Sequence, residues 1–352
     1  LSGQHMAGID DIGGQVLPYK EDAPAEGIGK MLGGRDGEFY HFMLGKLAGS
    51  MAAIQPEKKG RSMCEIFGNY GWGEGPRMEK YLADHFMVQG INHFVPHAFS
   101  PKPYPDKDCP PHFYANGHNP QYRAFGRVIA YMNRVCELIS DGKPVLETAV
   151  LYHADGEWSG TTMLDQKVTR ELMEHQIDFH VIPSDVFEEK ERYHTEITSQ
   201  GLEINGNCYK TLLIPQSDYI RKEMADAIGG LQDAGCKVLF VGGKPQALIG
   251  GGELPEAVKA AGVIRIEQIA DSVEKEIELT PQNKRIRAYH YQNKKKEIYY
   301  FVNEDEAVYS GEIRVSYLES CYAYDAWNGT KMVQEYRAEK EDATILSMKL
   351  RP

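Results

Sequence analysis

Short apolar runs alternate with helix-spaced apolar positions over most of the chain. The clearest helix is predicted over residues 122–139, where apolar side chains recur every three or four positions, as one face of a helix requires. A helix is also compatible with the spacing over residues 38–54. Between the helical patterns lie short apolar runs that are typical of buried strands. These runs cover residues 61–67, 91–96, 149–153, 179–182, 210–215, 237–241 and 263–266.

Residues 1–143 contain about three strand–helix units, with long loops rich in glycine, proline and histidine after the strands. This alternation is typical of a (β/α) barrel, whose functional loops lie on one side. A closed barrel needs eight units. Residues 1–143 therefore predict part of a (β/α)8 TIM barrel, about three of its eight strand–helix units. An open sheet of this kind leaves edges and apolar faces uncovered, which favours a homo-oligomer or cover by another segment.

Residues 144–275 predict a second α/β domain. Its nearly continuous apolar strands indicate a parallel sheet with helices on both faces, as in a flavodoxin-like or class I glutamine amidotransferase-like domain. No cysteine falls at a strand-to-helix turn there, so no amidotransferase nucleophile is expected. Residues 276–352 contain strand-like runs without a convincing helix and predict a small antiparallel β-sandwich. The predicted fold class is therefore α/β, with domains at 1–143, 144–275 and 276–352.

Composition narrows the classes of function. The 352 residues include 39 lysines and arginines and 51 aspartates and glutamates, a net charge of −12 that disfavours binding to nucleic acid. No apolar run reaches the roughly 18 residues of a membrane span. The six cysteines are scattered without a CxxC pair and predict free thiols. The glycines at 250–252 lack GxGxxG spacing, so dinucleotide binding is not expected. No cofactor is predicted. The compartment is left open.

A carboxylate near the end of an apolar strand is the strongest candidate for chemistry. Glu65 lies in the stretch CEIFGNYGWG at residues 64–73, where glycines, an asparagine, a tyrosine and a tryptophan follow it. A carboxylate can act on an anomeric carbon, and an aromatic ring can stack on a pyranose. The stretch therefore predicts a sugar site with Glu65 as the catalytic residue and with Asn69, Tyr70 and Trp72 around the sugar. The structural alternative is a glutamate that is salt-bridged at a strand end.

Further candidates follow the neighbouring strand. His93 and His97 flank its end, and because this run is extended we interpret His97 as a substrate-facing histidine rather than as one of two metal ligands. The loop at 106–121 contributes His112 and Asn119 as partners for sugar hydroxyls. A proline-rich connector explains most of that loop equally well.

Two adjacent aspartates lie near the start of the chain. Asp10 and Asp11 follow an apolar step, and such a pair can bind sugar hydroxyls or a cation. More often an aspartate pair belongs to a turn or a helix cap. We take Asp10 as a candidate for sugar binding and predict no metal site.

Three stretches resemble one group of enzymes. CEIFGNYGW at 64–72, followed by a helix and by GINHFVPHAFSP at 90–101, resembles the barrel end of family 42 type β-galactosidases and related clan-A glycoside hydrolases. YDAWNGT at 324–330 resembles their C-terminal β domain. In that family a glutamate at the end of the seventh barrel strand is the nucleophile, and Glu65 matches this position. The resemblance implies that residues 1–143 are the C-terminal part of the barrel, roughly strands six to eight. It also implies a glycoside hydrolase that cleaves O-glycosidic bonds of oligo- or polysaccharides. A similar α-L-rhamnosidase family is the alternative relative.

The chain departs from this family in its second carboxylate. The family's acid/base glutamate ends the fourth barrel strand, and no Asn-Glu pair follows a strand before Glu65. We therefore expect the acid/base residue to lie upstream of this chain, which would be a fragment of a larger hydrolase with little activity alone. The alternative is a non-catalytic carbohydrate-binding or assembly portion of such an enzyme. The sugar, the linkage and the choice between retention and inversion stay open.

Overall fold

A computed structural model of the chain describes residues 3–22, 36–293, 296–339 and 342–352. The fold is mixed α/β, with parallel sheets and antiparallel strands, as the apolar pattern predicts. None of the helices in these ranges is long and apolar enough to span a membrane.

Strands and helices have the following bounds within the described ranges. The strands are β1 Ala7–Ile12, β2 Ser62–Gly68, β3 His93–Pro96, β4 Gly142–Pro144, β5 Thr148–Tyr152, β6 His180–Pro183, β7 Thr195–Thr198, β8 Gly201–Ile204, β9 Asn207–Tyr209, β10 Thr211–Pro215, β11 Tyr219–Ile220, β12 Lys237–Val241, β13 Ala247–Leu248, β14 Gly262–Ile264, β15 Glu278–Thr280, β16 Ile286–Asn293, β17 Lys296–Asn303, β18 Tyr309–Ser316, β19 Tyr322–Asp325, β20 Thr330–Val333, β21 Tyr336–Glu339 and β22 Ala343–Leu350. The α-helices are α1 Gly37–Phe42, α2 Leu44–Ile54, α3 Pro76–Met87, α4 Tyr122–Leu138, α5 Ala154–Ser159, α6 Asp165–Glu174, α7 Asp185–Glu188, α8 Lys190–Tyr193, α9 Lys222–Asp233, α10 Glu256–Ala260 and α11 Ile269–Ser272. Single 3-10 turns occur at Pro56–Lys58, Ala115–Gly117 and Ile266–Gln268.

The first sheet contains three parallel strands in the order β1-β2-β3. Apolar side chains of α3 and α4, such as Phe86 and Val128, share a buried core with Ile66 of β2. The described strands of this sheet form an open layer, as expected for about three strand–helix units. Their assignment to a (β/α)8 barrel stays a prediction.

The middle sheet contains five parallel strands in the order β14-β12-β10-β5-β6. Ile214 and Phe240 pack on one face with residues of α9, while Leu213 and Val241 pack on the other with residues of α6. Burial on both faces is the reason why the strand sequences are almost continuously apolar. The predicted parallel sheet with helices on both faces is therefore confirmed.

The pattern of apolar residues does not predict the shortest strands. Strands β7, β8 and β9 form an antiparallel meander within the middle region, and three or four residues are too few to show a period. Strand β4 pairs antiparallel with β16, where Pro144 is opposite Tyr291. The chain at the boundary predicted near residue 143 thus contributes a strand to the C-terminal region.

The C-terminal strands are antiparallel, as predicted. One sheet has the order β15-β18-β22-β21, a second has the order β17-β16-β4, and β19 and β20 form a hairpin. Ile313, Val315 and Leu346 are buried in the core between these strands.

Helix α2 joins the two parallel sheets. Residues 38–54, whose spacing is compatible with one helix, lie in the two helices α1 and α2. Ala52 belongs to the core of the first sheet, and Ile54 belongs to that of the middle sheet. On the same helix, Lys46 forms a buried ion pair with Asp178, which precedes β6. Helix α2 therefore packs against both the first sheet and the middle sheet.

Candidate functional site

Glu65 is the fourth of the seven residues of β2, the central strand of the first sheet, and therefore lies three residues before the strand end at which the sequence predicts it. Its register partners are Asp10 in β1 and Val95 in β3. Paired residues of parallel strands point to the same face, so these three side chains form one row. Cys64 and Ile66 point to the opposite face and are fully buried in the core formed with α3 and α4. The row therefore lies on the face that these helices leave uncovered.

This row is accessible to a ligand. Val95 is 51 % exposed, Asp10 is exposed and Glu65 is half-buried. Among the described residues, none forms a side-chain hydrogen bond or an ion pair with the Glu65 carboxylate. The arrangement is unlike that of a structural glutamate at a strand end, whose charge a lysine or arginine would balance.

The electrostatics of Asp10 depend on its neighbours. Partial burial and the negative charge of Glu65 raise the pKa of Asp10, and His97 acts in the opposite direction. Because adjacent strands are only about 4.8 Å apart, the two carboxylates on this row are close enough to influence each other. The raised pKa lets the Asp10 carboxyl keep its proton to a higher pH than an isolated aspartate does.

The register of β2 against β1 is irregular after Glu65, and the chain turns beyond the end of β2 at Gly68. Phe67 and Asn69 have φ angles of 77° and 58°, in the left-handed region that a bulky side chain rarely adopts. Conformations of this kind cost about 1–3 kcal/mol each and cluster at functional sites. The buried ring of Phe67 meets that of Phe113 edge to face at 6.1 Å, which helps to hold the turn. Asn69 follows half-buried at the rim of the sheet.

His97 follows β3 and is bound to β2 through its backbone. Its N–H donates to the carbonyl oxygen of Ile66 at 2.8 Å, and a Cβ at Gly68 would be 3.5 Å from its ring. Nδ1 of His97 is buried and has no hydrogen-bond partner among the described residues. Asp10 is in electrostatic range of His97, and a role of His97 in ligand binding stays a prediction.

Trp72 is part of an aromatic wall beside the sheet. It is 43 % exposed, and its ring meets those of Tyr104 and His112 edge to face at 6.0 and 5.7 Å. Tyr104 in turn stacks on His118, with ring centres 4.3 Å apart. A partly exposed indole held by neighbouring rings is suited to contact the apolar face of a sugar.

His112 and Asn119 have local partners in their loop. His112 is buried, and its Nε2–H donates to the carbonyl oxygen of Asp108 at 2.7 Å. The Asn119 amide donates to the carbonyl oxygen of His112 at 3.2 Å, and its side-chain oxygen accepts from the N–H of Gln121 at 2.9 Å. In this structure these two side chains hold the loop that supports Trp72.

Tyr70 is directed toward the interior. Its hydroxyl donates to the Asp11 carboxylate at 2.9 Å and accepts from the N–H of Val16 at 3.3 Å. Asp11 is fully buried, which raises its pKa to about 8 although the hydrogen bond from Tyr70 acts in the opposite direction. Of the two adjacent aspartates, Asp10 thus faces the open side and Asp11 the interior.

Two buried acids near this site are absent from the sequence prediction. Burial, followed by the charges of Glu79 and Asp11, raises the pKa of Glu74 to about 9, and burial raises that of Glu79 to about 7. Both carboxylate oxygens of Glu74 lack a hydrogen-bond partner in the part of the chain that the structure describes. A signal for Glu79 exists in the sequence, because it is three and seven residues before Leu82 and Phe86 on the apolar stripe of α3.

The described ranges contain no group of three histidine, cysteine, aspartate or glutamate side chains that could hold a metal ion. All six cysteines are free, as their spacing predicts.

Residues 48–253 match the α-L-rhamnosidase family designated glycoside hydrolase 106, and this match covers more than half of the chain. It includes Glu65, the aromatic loop and most of the middle sheet. No curated protein sequence matches the chain.

Several solved structures have a similar fold. A rhamnosidase from Novosphingobium sp. PP1Y superimposes with a TM-score of 0.70 and 16 % identity over 99 % of this chain and 34 % of that one. A β-galactosidase from Bacillus circulans sp. alkalophilus has a TM-score of 0.57 and 9 % identity over 88 % of this chain and 57 % of its own. An α-L-fucosidase from Paenibacillus thiaminolyticus has a TM-score of 0.53 and 13 % identity over 87 % of this chain and 62 % of its own.

The chain thus spans about a third of the length of the rhamnosidase and somewhat more than half of the length of the galactosidase. The predicted resemblance to clan-A glycoside hydrolases, with an α-L-rhamnosidase among the relatives, is confirmed. The chain belongs to the α-L-rhamnosidase family of glycoside hydrolases.

Proposed function

We propose that this chain contributes Glu65 as a catalytic carboxylate to the hydrolysis of O-glycosidic bonds. The observation that supports the proposal is the position of Glu65 on the accessible face of the central parallel strand, beside Asp10 and without a compensating cation among the described residues. Active sites of parallel barrels lie at the carboxyl ends of the strands, and Glu65 is three residues before the end of β2. An acid left without a structural partner is a candidate for chemistry.

Glu65 attacks the anomeric carbon in a retaining enzyme or activates a water molecule in an inverting one. The separation of the two carboxyl groups decides between these mechanisms, at about 5–5.5 Å for retention and about 6.5–9.5 Å for inversion. Trp72 contacts the apolar face of the sugar, and His97 and Asn69 bind its hydroxyl groups. His112, Asn119 and Tyr70 support the site from behind through the contacts described above.

Asp10 is the candidate for the second carboxylate within the chain. Its raised pKa suits a group that binds a substrate hydroxyl or donates a proton. Alternatively, a carboxylate outside this chain serves as the second acid. This alternative agrees with the similarity to the rhamnosidase, of which the chain spans only 34 %. These two sources differ in whether the chain hydrolyses a substrate by itself.

The substrate class is proposed from the relatives. An α-L-rhamnoside is the first candidate because residues 48–253 match the α-L-rhamnosidase family. A β-galactoside is the second, since β-galactosidases of family 42 share the fold. We propose the organisation 1–143, 144–275 and 276–352 for this part of the enzyme, with the first sheet as a piece of its barrel.

Aryl α-L-rhamnosides and aryl β-D-galactosides test the proposal with the chain and its Glu65→Gln variant. Glu57→Gln is the matched control, because Glu57 is an exposed glutamate on a 3-10 turn before the same strand. If Asp10 serves as the acid, we expect the chain to release the aryl alcohol from the rhamnoside. The Glu65→Gln variant should lose this activity, and the Glu57→Gln variant should keep it.

If the acid lies outside the chain, binding of L-rhamnose is measured instead of turnover. The chain then binds L-rhamnose without turnover, and Glu65→Gln changes this binding while Glu57→Gln does not. Absence of both turnover and Glu65-dependent binding would favour the second candidate function, a non-catalytic assembly portion. The uncovered face of the first sheet is the observation that favours that alternative.

A further inference from the structure

A buried hydroxyl group connects the two strands that carry Asp10 and Glu65. Tyr70 lies in the loop after β2, and its hydroxyl oxygen is 2.9 and 3.0 Å from the two carboxylate oxygens of Asp11 in β1. The same oxygen is 3.3 Å from the backbone nitrogen of Val16 and 3.2 Å from its carbonyl oxygen. Val16 belongs to the segment after β1. One hydroxyl group therefore joins the segments that follow both strands.

The number of hydrogens decides which of these contacts can form together. A tyrosine hydroxyl donates one hydrogen bond and accepts two. If Asp11 is ionised, Tyr70 donates either to Asp11 or to the carbonyl oxygen of Val16. If Asp11 is protonated, its O–H and the N–H of Val16 both donate to Tyr70, and Tyr70 donates to the carbonyl oxygen of Val16. Only the protonated form of Asp11 lets all three hydrogen bonds exist at once.

The surroundings of Asp11 favour this protonated form at neutral pH. Asp11 is fully buried, and no lysine, arginine or histidine among the described residues pairs with it. An isolated carboxylate is costly to remove from water, and burial raises the pKa of Asp11 to about 8.

The titratable groups that face Asp11 do not supply a positive charge. These groups are Asp10 on the same strand, Cys64 on β2, and Tyr70 and Glu74 after β2. Burial raises the pKa of Tyr70 and of Cys64, and it raises that of Glu74 to about 9. These three groups are therefore largely neutral up to about pH 8, and Asp11 titrates before them.

Ionisation of Asp11 changes what Tyr70 holds. The hydrogen of Tyr70 turns to the carboxylate, and the carbonyl oxygen of Val16 loses that donor. Val16 is fully buried, so the loss is unfavourable and the segment after β1 is held less firmly. The register of β1 against β2 is already irregular directly after Asp10 and Glu65, so the contacts of Tyr70 help to hold the two strands together there.

We propose that Asp11 and Tyr70 regulate the candidate site as a proton-dependent switch. With a proton on Asp11, Tyr70 holds the segment after β1 against the loop after β2 and keeps Asp10 and Glu65 in fixed positions. When this proton passes to solvent, the segment is released and the two carboxylates lose that order. The control of sugar binding rests on the function proposed for Glu65, whereas the exchange of hydrogen bonds does not.

Hydrogen exchange tests the switch without reference to catalysis. After correction for the intrinsic effect of pH, the amide of Val16 should be about three- to tenfold less protected at pH 9 than at pH 6, as expected for the loss of one hydrogen bond. Asp11→Asn keeps a neutral group that can donate to Tyr70, so its protection should be the same at both pH values. Asp233→Asn changes an exposed aspartate at the end of α9 and is the matched control. It should behave like the unchanged chain, and so should Glu74→Gln, which removes the neighbouring acid.

The affinity for L-rhamnose at the same two pH values tests the control of the site. We expect the affinity of the unchanged chain to be about three- to tenfold lower at pH 9, and that of Asp11→Asn to be equal at both pH values. Tyr70→Phe lacks the hydroxyl group and should bind weakly at both. Isothermal titration calorimetry measures the affinity, and circular dichroism checks that the variants are folded.

Two results would overturn the inference. One is a protection of Val16 that does not depend on pH, and the other is a dependence that Asp11→Asn retains. If Asp11→Asn does not fold, NMR of chains labelled with 13C at the aspartate carboxyls decides, because the absence of an aspartate that titrates near pH 8 would also refute the switch.

The two proposals fail in different ways. If the protection of Val16 changes with Asp11 but no binding of L-rhamnose depends on Glu65 at pH 6, the function proposed for Glu65 is refuted and the exchange of hydrogen bonds stands. If binding depends on Glu65 but is equally strong at both pH values, the control of the site by Asp11 is refuted and the function of Glu65 stands.

Discussion

The two parallel sheets differ in what covers their faces. The middle sheet is buried on both sides, and neighbouring residues of one strand, such as Leu213 and Ile214, lie in separate apolar cores. Among the described residues, helices cover the first sheet on one side only, and its β2 strand alternates the buried Cys64 and Ile66 with the accessible Glu65. Parallel strands normally have both faces covered. A carboxylate on an uncovered face is therefore informative, because it contributes little to the stability of the sheet and is available for chemistry.

The largest effect is expected from Glu65→Gln. Loss of a catalytic carboxylate should lower turnover of the active enzyme by about 10³-fold or more, while the unfolding free energy changes by less than about 0.5 kcal/mol. Rates on an aryl glycoside and urea denaturation measure the two quantities. If the Glu65→Gln variant unfolded at a much lower urea concentration, Glu65 would stabilise the fold in the way that buried residues of the middle sheet do.

Leu213→Ala tests the middle sheet, whose two faces are both buried. Leu213 is fully buried on one face of the central strand of the middle sheet, so truncation leaves a cavity and should cost about 2–5 kcal/mol of unfolding free energy. Binding at the Glu65 site should persist under conditions where the variant is folded. Val95→Ala, on the exposed face of the first sheet, is the control and should cost far less. Equal losses in the two variants would contradict the difference between the sheets.

A pH-dependent effect is expected from Glu74→Gln. The pKa of Glu74 is about 9 in the folded protein and near 4.5 in the unfolded chain, so the folded protein keeps a proton that the unfolded chain releases. The burial of Glu74 therefore lowers the unfolding free energy as pH rises. This loss is absent below about pH 4.5 and complete above about pH 9. Glu74→Gln should therefore raise the unfolding free energy by roughly 1–3 kcal/mol at pH 8 and by almost nothing at pH 4.

Glu304 provides the contrast to Glu74. Burial alone would raise its pKa, but Arg287 and His85, at 2.8 and 2.7 Å from its carboxylate oxygens, lower it to about 2. The stabilisation from Glu304 is complete above about pH 4.5 and is lost as pH falls through about 2. Urea denaturation from pH 4 to 8 separates the two acids. If Glu74→Gln raised the unfolding free energy by the same amount at every pH, the raised pKa of Glu74 would be contradicted.

The smallest effect is expected from Trp72→Ala. Removal of an aromatic platform that is 43 % exposed should raise KM for the glycoside by about tenfold, or about 1.4 kcal/mol, with a smaller change in kcat. Tyr114→Ala, which removes an aromatic ring of similar exposure from the same loop region, is the control. Similar changes in both variants would show that the loop and not the ring at position 72 matters.

Local patterns in the sequence determine the main elements. The apolar stripe over residues 122–139 predicts α4, which spans Tyr122–Leu138, and the run at 237–241 predicts β12 with its bounds. The carboxylate of Glu65 within an apolar strand is also a local signal, because an acid in that position is costly without a partner or a role. Periodicity and local cost act over a few neighbouring residues, so the amino-acid sequence alone reveals them.

Only the tertiary structure decides which polar side chains face the open side of the first sheet. The register of β1 against β2 places Asp10 beside Glu65 and directs Asp11 inward, where it meets the hydroxyl of Tyr70, 59 residues away in the chain. Likewise β4 becomes a strand because β16 pairs with it across more than a hundred residues. Contacts between distant residues depend on how the sheets and helices pack, and no local pattern encodes them.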